Sequence, residues 1–387
     1  MTRSPLVLVL LLWVAGLCAA AQFAKFGVIV PELLLAYPVD PALIGLLVSL
    51  ISAMGLVLGL VAGALAAPIG LKRLLVASLV LGAIVSLAQA AMPPLPVMFA
   101  LRVVEGLSHL GVVVTAPTLI GTLTPVHRRG AAMTLWGTFF GVAFALTAWL
   151  GVPLATASGP GAVFLAHAIA TGLIAAVLLA ALPADGAARG EAPGLRAVMG
   201  RHRTAYASPF VAAAPLGWLF YTFSFVALVT VLPTLVPEAS RALVATWMPI
   251  ASIVVSMTLG VALLRLVSAI SVVALGFLAA MGVALVYLAL PGSVWLPVAL
   301  FGALGLVQGA SFAAIPQLNS APADQALANG AMAQMGNAGN VSGTLVLLAV
   351  LAASDVRTMI AVVIGCYAVG LVAHALTAQA RARSAHA

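Results

Sequence analysis

Three residues in one apolar stretch carry chemistry. Arg102, Glu105 and His109 recur at i, i+3 and i+7 inside the run from Pro96 to Leu119. On a helix these positions lie within roughly 60° of one another and span about 10 Å, so a guanidinium, a carboxylate and an imidazole share one face. Such a set can hold an anion or carry a proton. Gln22, Lys25 and Glu32 recur at i, i+3 and i+10 in the first apolar run, again on one face. The C-terminal part offers amides instead: Asn329, Gln334, Asn337 and Asn340, with Gln308 and Ser311 in the run before them. Trp136, Phe140, Trp218, Tyr221, Phe223 and Phe225 add rings that pack, anchor at an interface or line a ligand site.

The elements that position these residues follow from composition. Of 387 residues, 64% are hydrophobic and 6% charged, with a mean hydropathy of +1.24. A soluble globule of this length needs a polar exterior that this chain lacks, so the fold class is an all-α membrane protein. A charged face at mid-membrane costs several kcal/mol against lipid and must turn toward protein or a watery path. The net charge of +8 reflects Lys and Arg scattered through short connections, which read as topology signals and exclude a nucleic-acid partner. Cys18 and Cys366 both sit in apolar runs, the six histidines form no i, i+4 pair, and no P-loop or nucleophile elbow occurs. Metal, cofactor and enzyme readings therefore find no support.

Twelve segments are long enough to span: Pro5–Leu35, Pro41–Ala67, Leu74–Ala91, Pro96–Leu119, Gly130–Ala155, Ala162–Leu182, Ser208–Leu235, Arg241–Leu264, Val267–Leu290, Val294–Gln317, Gln325–Ala353 and Arg357–Ala378. Arg3, the run Leu6–Leu17 and Ala19-Ala20-Ala21 also fit a cleavable signal peptide, but the apolar pattern continues past Lys25 to Leu35. With the N-terminus in the cytoplasm, Arg3, Lys72, Arg73, Arg128, Arg129, Arg189, Arg196, Arg201, Arg203, Arg265, Arg381 and Arg383 fall inside, and Arg241 and Arg357 outside. The positive-inside rule then places both termini in the cytoplasm. Residues 183–207 form the one long connection, a cytoplasmic linker between six-helix bundles at 1–182 and 208–387. Two weak internal matches support parallel, pseudo-twofold halves: Ala132–Thr138 with Ala331–Asn337 at an offset of 199, and Glu105–Ser108 with Gln308–Ser311 at 203.

With these landmarks the chain resembles the major facilitator superfamily. The glycine-led, basic loop of that family between helices 2 and 3 has its counterpart in Gly63–Arg73, with Ala67 where the family has an aspartate. Arg102, Glu105 and Gly106 fit the helix 4 pattern of arginine, then a polar residue and glycine. Gly137-Thr138-Phe139-Phe140-Gly141 keeps the glycine spacing of helix 5 without the proline of the drug antiporters. The resemblance implies that helices 1 and 4 both line a central cavity, so Lys25, Arg102, Glu105 and His109 converge there. Arg102 and Glu105 neutralise one another, leaving Lys25 as a surplus cation that calls for an anion.

The expectation is a monomeric, multi-pass transporter of the bacterial inner membrane that moves a small anionic or zwitterionic solute by alternating access, with proton-coupled import favoured. Lys25, Arg102, Gln22, Trp136, Tyr221, Gln308, Asn337 and Asn340 would contact the solute, and Glu105, Arg102 and His109 would couple the proton or another ion. The alternatives are proton-driven efflux of drugs or metabolites, in which Glu105 recognises a cation, and a non-transporting receptor or scaffold.

Overall fold

The computed structural model describes residues 4–186 and 195–385; Arg3, Arg189 and linker residues 187–194 lie outside the described residues. Twelve of the described helices are long and apolar enough to cross a bilayer. They are α1 (Pro5–Gly27), α2 (Leu43–Ile69), α3 (Leu71–Ala90), α4 (Leu95–Leu123), α5 (Val126–Ser158), α6 (Pro160–Ala181), α7 (Ala213–Leu235), α8 (Glu238–Leu263), α9 (Ala269–Ala289), α10 (Trp295–Leu318), α11 (Pro322–Ala353) and α12 (Val356–Ser384). At 1.5 Å per residue even α3 reaches the ~30 Å of a hydrocarbon core. The chain is thus an all-helical, multi-pass membrane protein, with six spans on either side of the linker.

The first apolar run is not one helix. α1 stops at Gly27, and a short helix, Val30–Ala36, starts afresh with Pro31 in its first turn, where a missing N–H does no harm. Glu32 therefore leaves the face that carries Gln22 and Lys25. Its Oε1 accepts from Thr156 Oγ1 of α5 at 3.2 Å instead. α5 and α8 each contain one π-helical turn, at Thr147–Gly151 and Ser256–Gly260.

Between α2 and α3, Gly70 turns the chain at φ +100°, a region open to glycine. The loop carboxylate that Ala67 lacks is supplied from the far end of α6: Asp185 accepts from the backbone N–H of Lys72 at 3.0 Å and of Arg73 at 2.9 Å. An acidic group at these free N–H donors also suits the helix dipole. Lys72 Nζ in turn donates to Leu182 O at 2.7 Å.

One apolar core, around Leu228, Phe277, Phe301 and Tyr367, belongs to the C-terminal six helices alone. A second starts in the N-terminal six, around Leu12, Leu79 and Trp136, and runs on into Phe312–Ile315 of α10 and Ala328–Met332 of α11. The two halves therefore share a core where α4 and α5 meet α10 and α11. Between the halves, backbones meet directly where α2 crosses α11 and Gly59 and Gly63 face Gly330. A Cβ at Gly59 would sit 2.8 Å from Gly330 O, and one at Gly330 would sit 2.6 Å from Gly59 O, so only hydrogens fit. Gln334 Nε2 donates to Leu56 O at 2.8 Å beside this crossing. The linker helix Leu195–Ala207 straddles it: Arg201 Nη1 reaches Ala64 O of α2 at 3.0 Å, and Tyr206 Oη reaches Gln334 Oε1 of α11 at 2.7 Å. These contacts lie toward the α2–α3 loop and the linker, so the halves are sealed on the linker side.

Candidate functional site

Above that seal lies a cavity of about 140 Å³ between the halves. Phe23 of α1, His109 of α4 and Trp136, Phe139 and Phe140 of α5 form one wall; Trp218, Tyr221 and Phe225 of α7, Gln308 and Phe312 of α10, and Asn329, Asn337 and Asn340 of α11 form the other. The structure thus places six of the expected residues, His109, Trp136, Tyr221, Gln308, Asn337 and Asn340, on a single cavity. Gln22, Lys25, Arg102 and Glu105 do not line it.

The wall residues differ in how much of their bonding capacity is used. His109 Nδ1 lies 3.0 Å from Ala19 O. A carbonyl only accepts, so Nδ1 carries the hydrogen and Nε2 keeps its lone pair. The imidazole stands edge-on to Phe23 with centroids 5.0 Å apart. Gln308 is committed on both sides: Nε2 donates to Gly137 O of α5 at 2.5 Å, and Oε1 accepts from Ser252 Oγ of α8 at 3.0 Å. Asn337 Nδ2 is spent on Ala333 O at 2.7 Å. Asn329 Nδ2 donates to Thr118 Oγ1 and Gln325 O, while its Oδ1 is buried without a partner. Trp136 Nε1 is likewise buried and unpartnered. Asn340 and the Tyr221 hydroxyl make no side-chain hydrogen bond to the described residues.

The charged residues converge elsewhere, inside the N-terminal half. Lys25 Nζ meets Glu105 Oε1 at 2.5 Å, and Arg102 Nη1 meets Glu105 Oε2 at 2.7 Å, with side chains 1%, 0% and 0% exposed. Lys25 also donates to Ser86 Oγ at 2.6 Å and Gln89 Oε1 at 2.7 Å, and Gln89 Nε2 donates to Glu105 Oε2 at 2.8 Å. Arg102 reaches Leu47 O, Val48 O and Gln22 O, and its guanidinium lies 4.2 Å over the Phe26 ring. His167 closes a directed chain. Its Nε2 lies 2.8 Å from Cys18 O, and so donates; its Nδ1, 2.8 Å from Ser86 Oγ, therefore accepts the hydroxyl proton, freeing that oxygen to accept from Lys25. Gln22 Nε2 donates to Ser108 Oγ at 2.9 Å, and Ser108 to Ser78 O at 2.7 Å.

Two expectations change. Lys25 is not left unpaired, because Glu105 offers one carboxylate oxygen to each cation, although two cations on one anion keep the cluster's surplus positive charge. The triad does not reach the cavity either, because Arg102 turns toward α1 and α2 and is occupied by three backbone carbonyls. Ser86 and Gln89 of α3 escaped the sequence reading, although two polar residues three apart in an apolar helix were a usable signal. Phe23 and Phe312 also escaped it. Phe312 stands at the repeat offset of 203 from His109, so the internal repeat could have found it.

The Major Facilitator Superfamily profile matches residues 12–347. A comparison with curated proteins gives no match. Among solved structures, the chain is similar to FucP, a transporter of this superfamily in its outward conformation, with a TM-score of 0.77 at 16% identity over 97% of this chain and 99% of that one. It is similar to the proton:xylose symporter XylE, with a TM-score of 0.73 at 15% identity over 95% and 94% of the two chains. The human organic anion transporter MFSD10 gives 0.71 at 17% identity over 96% and 100%. At these identities the likeness is one of fold. The profile covers most of the chain, which belongs to the major facilitator superfamily and is a transporter rather than an enzyme.

Proposed function

We propose that this member of the major facilitator superfamily is a secondary active transporter, which carries a small organic solute through the cavity between its halves by alternating access. The observation that carries this reading is one cavity walled by both halves and closed on the linker side by the α2–α11 crossing and its neighbours. Lys72, Arg73, Arg128, Arg129, Arg201, Arg203 and Arg265 lie at the sealed side, against Arg241 and Arg357 at the other. By the positive-inside rule the seal is cytoplasmic and this state faces outward.

His109, Trp136, Tyr221, Gln308, Asn337 and Asn340 are the solute contacts in this proposal. Lys25, Arg102 and Gln22 act one layer behind, holding α1 and α4 in register. The anionic solute expected from Lys25 and Arg102 loses its support, since both cations are spent on Glu105 and on backbone or amide oxygens. His109 is the one lining residue whose side chain offers a basic nitrogen, Nε2, which makes it the proton-linked group open to the cavity in this state. Glu105 takes a proton only when the triad opens.

The test is solute flux in proteoliposomes holding the purified chain, with and without an imposed pH gradient, in both directions. Saturable flux, lost in Gly59→Leu, supports transport. A protein that binds solutes but moves none, under any gradient, would be a receptor and would end this reading.

A further inference from the structure

The cavity wall is uncharged. Its lining includes no Asp, Glu, Lys or Arg. The nearest ionic groups, Lys25, Arg102 and Glu105, are closed on one another. An ion entering such a site would leave water with no charged side chain on the wall to pair with, at a cost of several kcal/mol. What the wall does hold open are neutral hydrogen-bonding groups: the His109 Nε2 lone pair, the Tyr221 hydroxyl and the Asn340 amide, none with a side-chain partner among the described residues. Buried polar atoms are nearly always satisfied, so unpartnered ones at a cavity wall point to a visiting group.

The apolar part of the wall sets shape. Trp136 and Phe139 stack at 4.5 Å and 22° in the N-terminal half, and Trp218 and Tyr221 stack at 4.5 Å and 21° in the C-terminal half. Flat faces on both sides favour a flat or ring-shaped body. The volume of about 140 Å³ is close to the ~150 Å³ of an apolar cavity that admits benzene, which gives room for about one ring.

Resting on the transporter reading above, we infer that the solute is an uncharged molecule of about one ring, which donates an O–H or N–H to His109 Nε2, accepts from the Tyr221 O–H and lies between the aromatic panels. A proton and the solute then compete for the same His109 lone pair. The groups facing that imidazole are Ala19 O and Phe23 of α1 and the cavity; Glu105 and Arg102 lie one and two turns along α4, and Lys25 is bound to Glu105.

Two series matched in size and differing in charge test this on the purified full-length protein. One is nicotinamide, nicotinate and 1-methylnicotinamide; the other is glucose, glucuronate and glucosamine. The expected result is that a neutral member raises the melting temperature by a few degrees, that its ionic partners do not, and that His109→Ala removes the shift. Tyr221→Phe, which keeps the ring and drops the donor, should weaken binding about tenfold, a loss typical of one hydrogen bond. The inference is overturned if only ionic members stabilise the protein, if no neutral member of either series does, or if neutral binding survives both substitutions. Flux of an ionic member would sink the inference and leave the transporter reading intact, whereas binding without any flux would sink that reading.

Discussion

Helices α4 and α10 are repeats of one another, and they have been put to opposite uses. At the offset of 203, Glu105 corresponds to Gln308, Gly106 to Gly309, Ser108 to Ser311 and His109 to Phe312; Arg102 corresponds to Gly305. In α4 the charged side chains work inside their own half, where Glu105 joins α1 to α4 through two cations. In α10 the carboxylate has become an amide and the arginine has become nothing. A Cβ at Gly305 would collide with Ser252 O, so α10 lies directly on the α8 backbone. Gln308, with no cation to hold, reaches across to Gly137 O of the other half. Charge therefore cements the N-terminal bundle, and neutral hydrogen bonds join one bundle to the other. The difference suits a machine whose inner contacts must last while its contacts between halves come and go.

The sharpest way to break this comparison is to remove the carboxylate. Glu105→Leu strands two buried cations, and thermal unfolding in detergent should show a loss of about 3–5 kcal/mol or failure to accumulate folded protein. Lys25→Met leaves one cation facing one anion and should be clearly milder; equal losses would mean that the Glu105 charge is not what holds the cluster together. Gly59→Leu comes next, because any Cβ there meets the Gly330 carbonyl and must part α2 from α11. Transport should fall at least tenfold, with cysteines placed on the linker side becoming open to thiol reagents. Gln308→Leu should cost about 1–3 kcal/mol, since Gly137 O and Ser252 Oγ both lose a partner, and the loss should appear in the balance of the two facing states more than in bundle unfolding.

The smaller effects concern pH and the linker. Neutral His109 accepts at Nε2 and protonated His109 cannot, so binding of a neutral solute should weaken as pH falls; a flat pH profile for the wild-type chain would count against this role. Tyr206→Phe removes one hydrogen bond across the α2–α11 crossing, worth about 1 kcal/mol, or roughly a fivefold shift toward opening of the linker side, readable by the same thiol labelling. Burial pushes the Tyr206 hydroxyl up to about 12, so it stays a donor across the working pH range and this contact should not contribute to any pH dependence.

Much of this could be read from residue order alone, and the failures have physical causes. Twelve spans follow from apolar length, because lipid admits few alternatives to a helix. The break at Gly27 and Pro31 was hidden by apolar residues on both sides, which hydropathy cannot divide. Depth along the membrane placed Lys25 level with Arg102, and the two do meet at Glu105. Periodicity placed Arg102, Glu105 and His109 on one face, yet that face sits at a corner between neighbours. His109 turns to the cavity while Arg102, longer and forked, reaches back to α1 and α2. A face about 60° wide names the direction of a side chain, not the helix it meets, and only the packed bundle decides the second.

The capping carboxylate of Asp185 has a mechanical consequence. It fastens the end of the α6 segment to the start of α3, and Arg201 fastens the linker helix to α2. Just beyond, Pro209 O accepts from Arg381 of α12 and Phe210 O from Asn319 at the end of α10. Ownership of the chain thus changes hands between Arg201 and Pro209, with Tyr206 bonding this helix to Gln334 of α11. The linker helix is a passenger of the N-terminal bundle, and the pivot of the rocking motion lies within the few residues that follow it. A distance probe on the linker helix should stay constant to α3 and change to α12 as the transporter cycles.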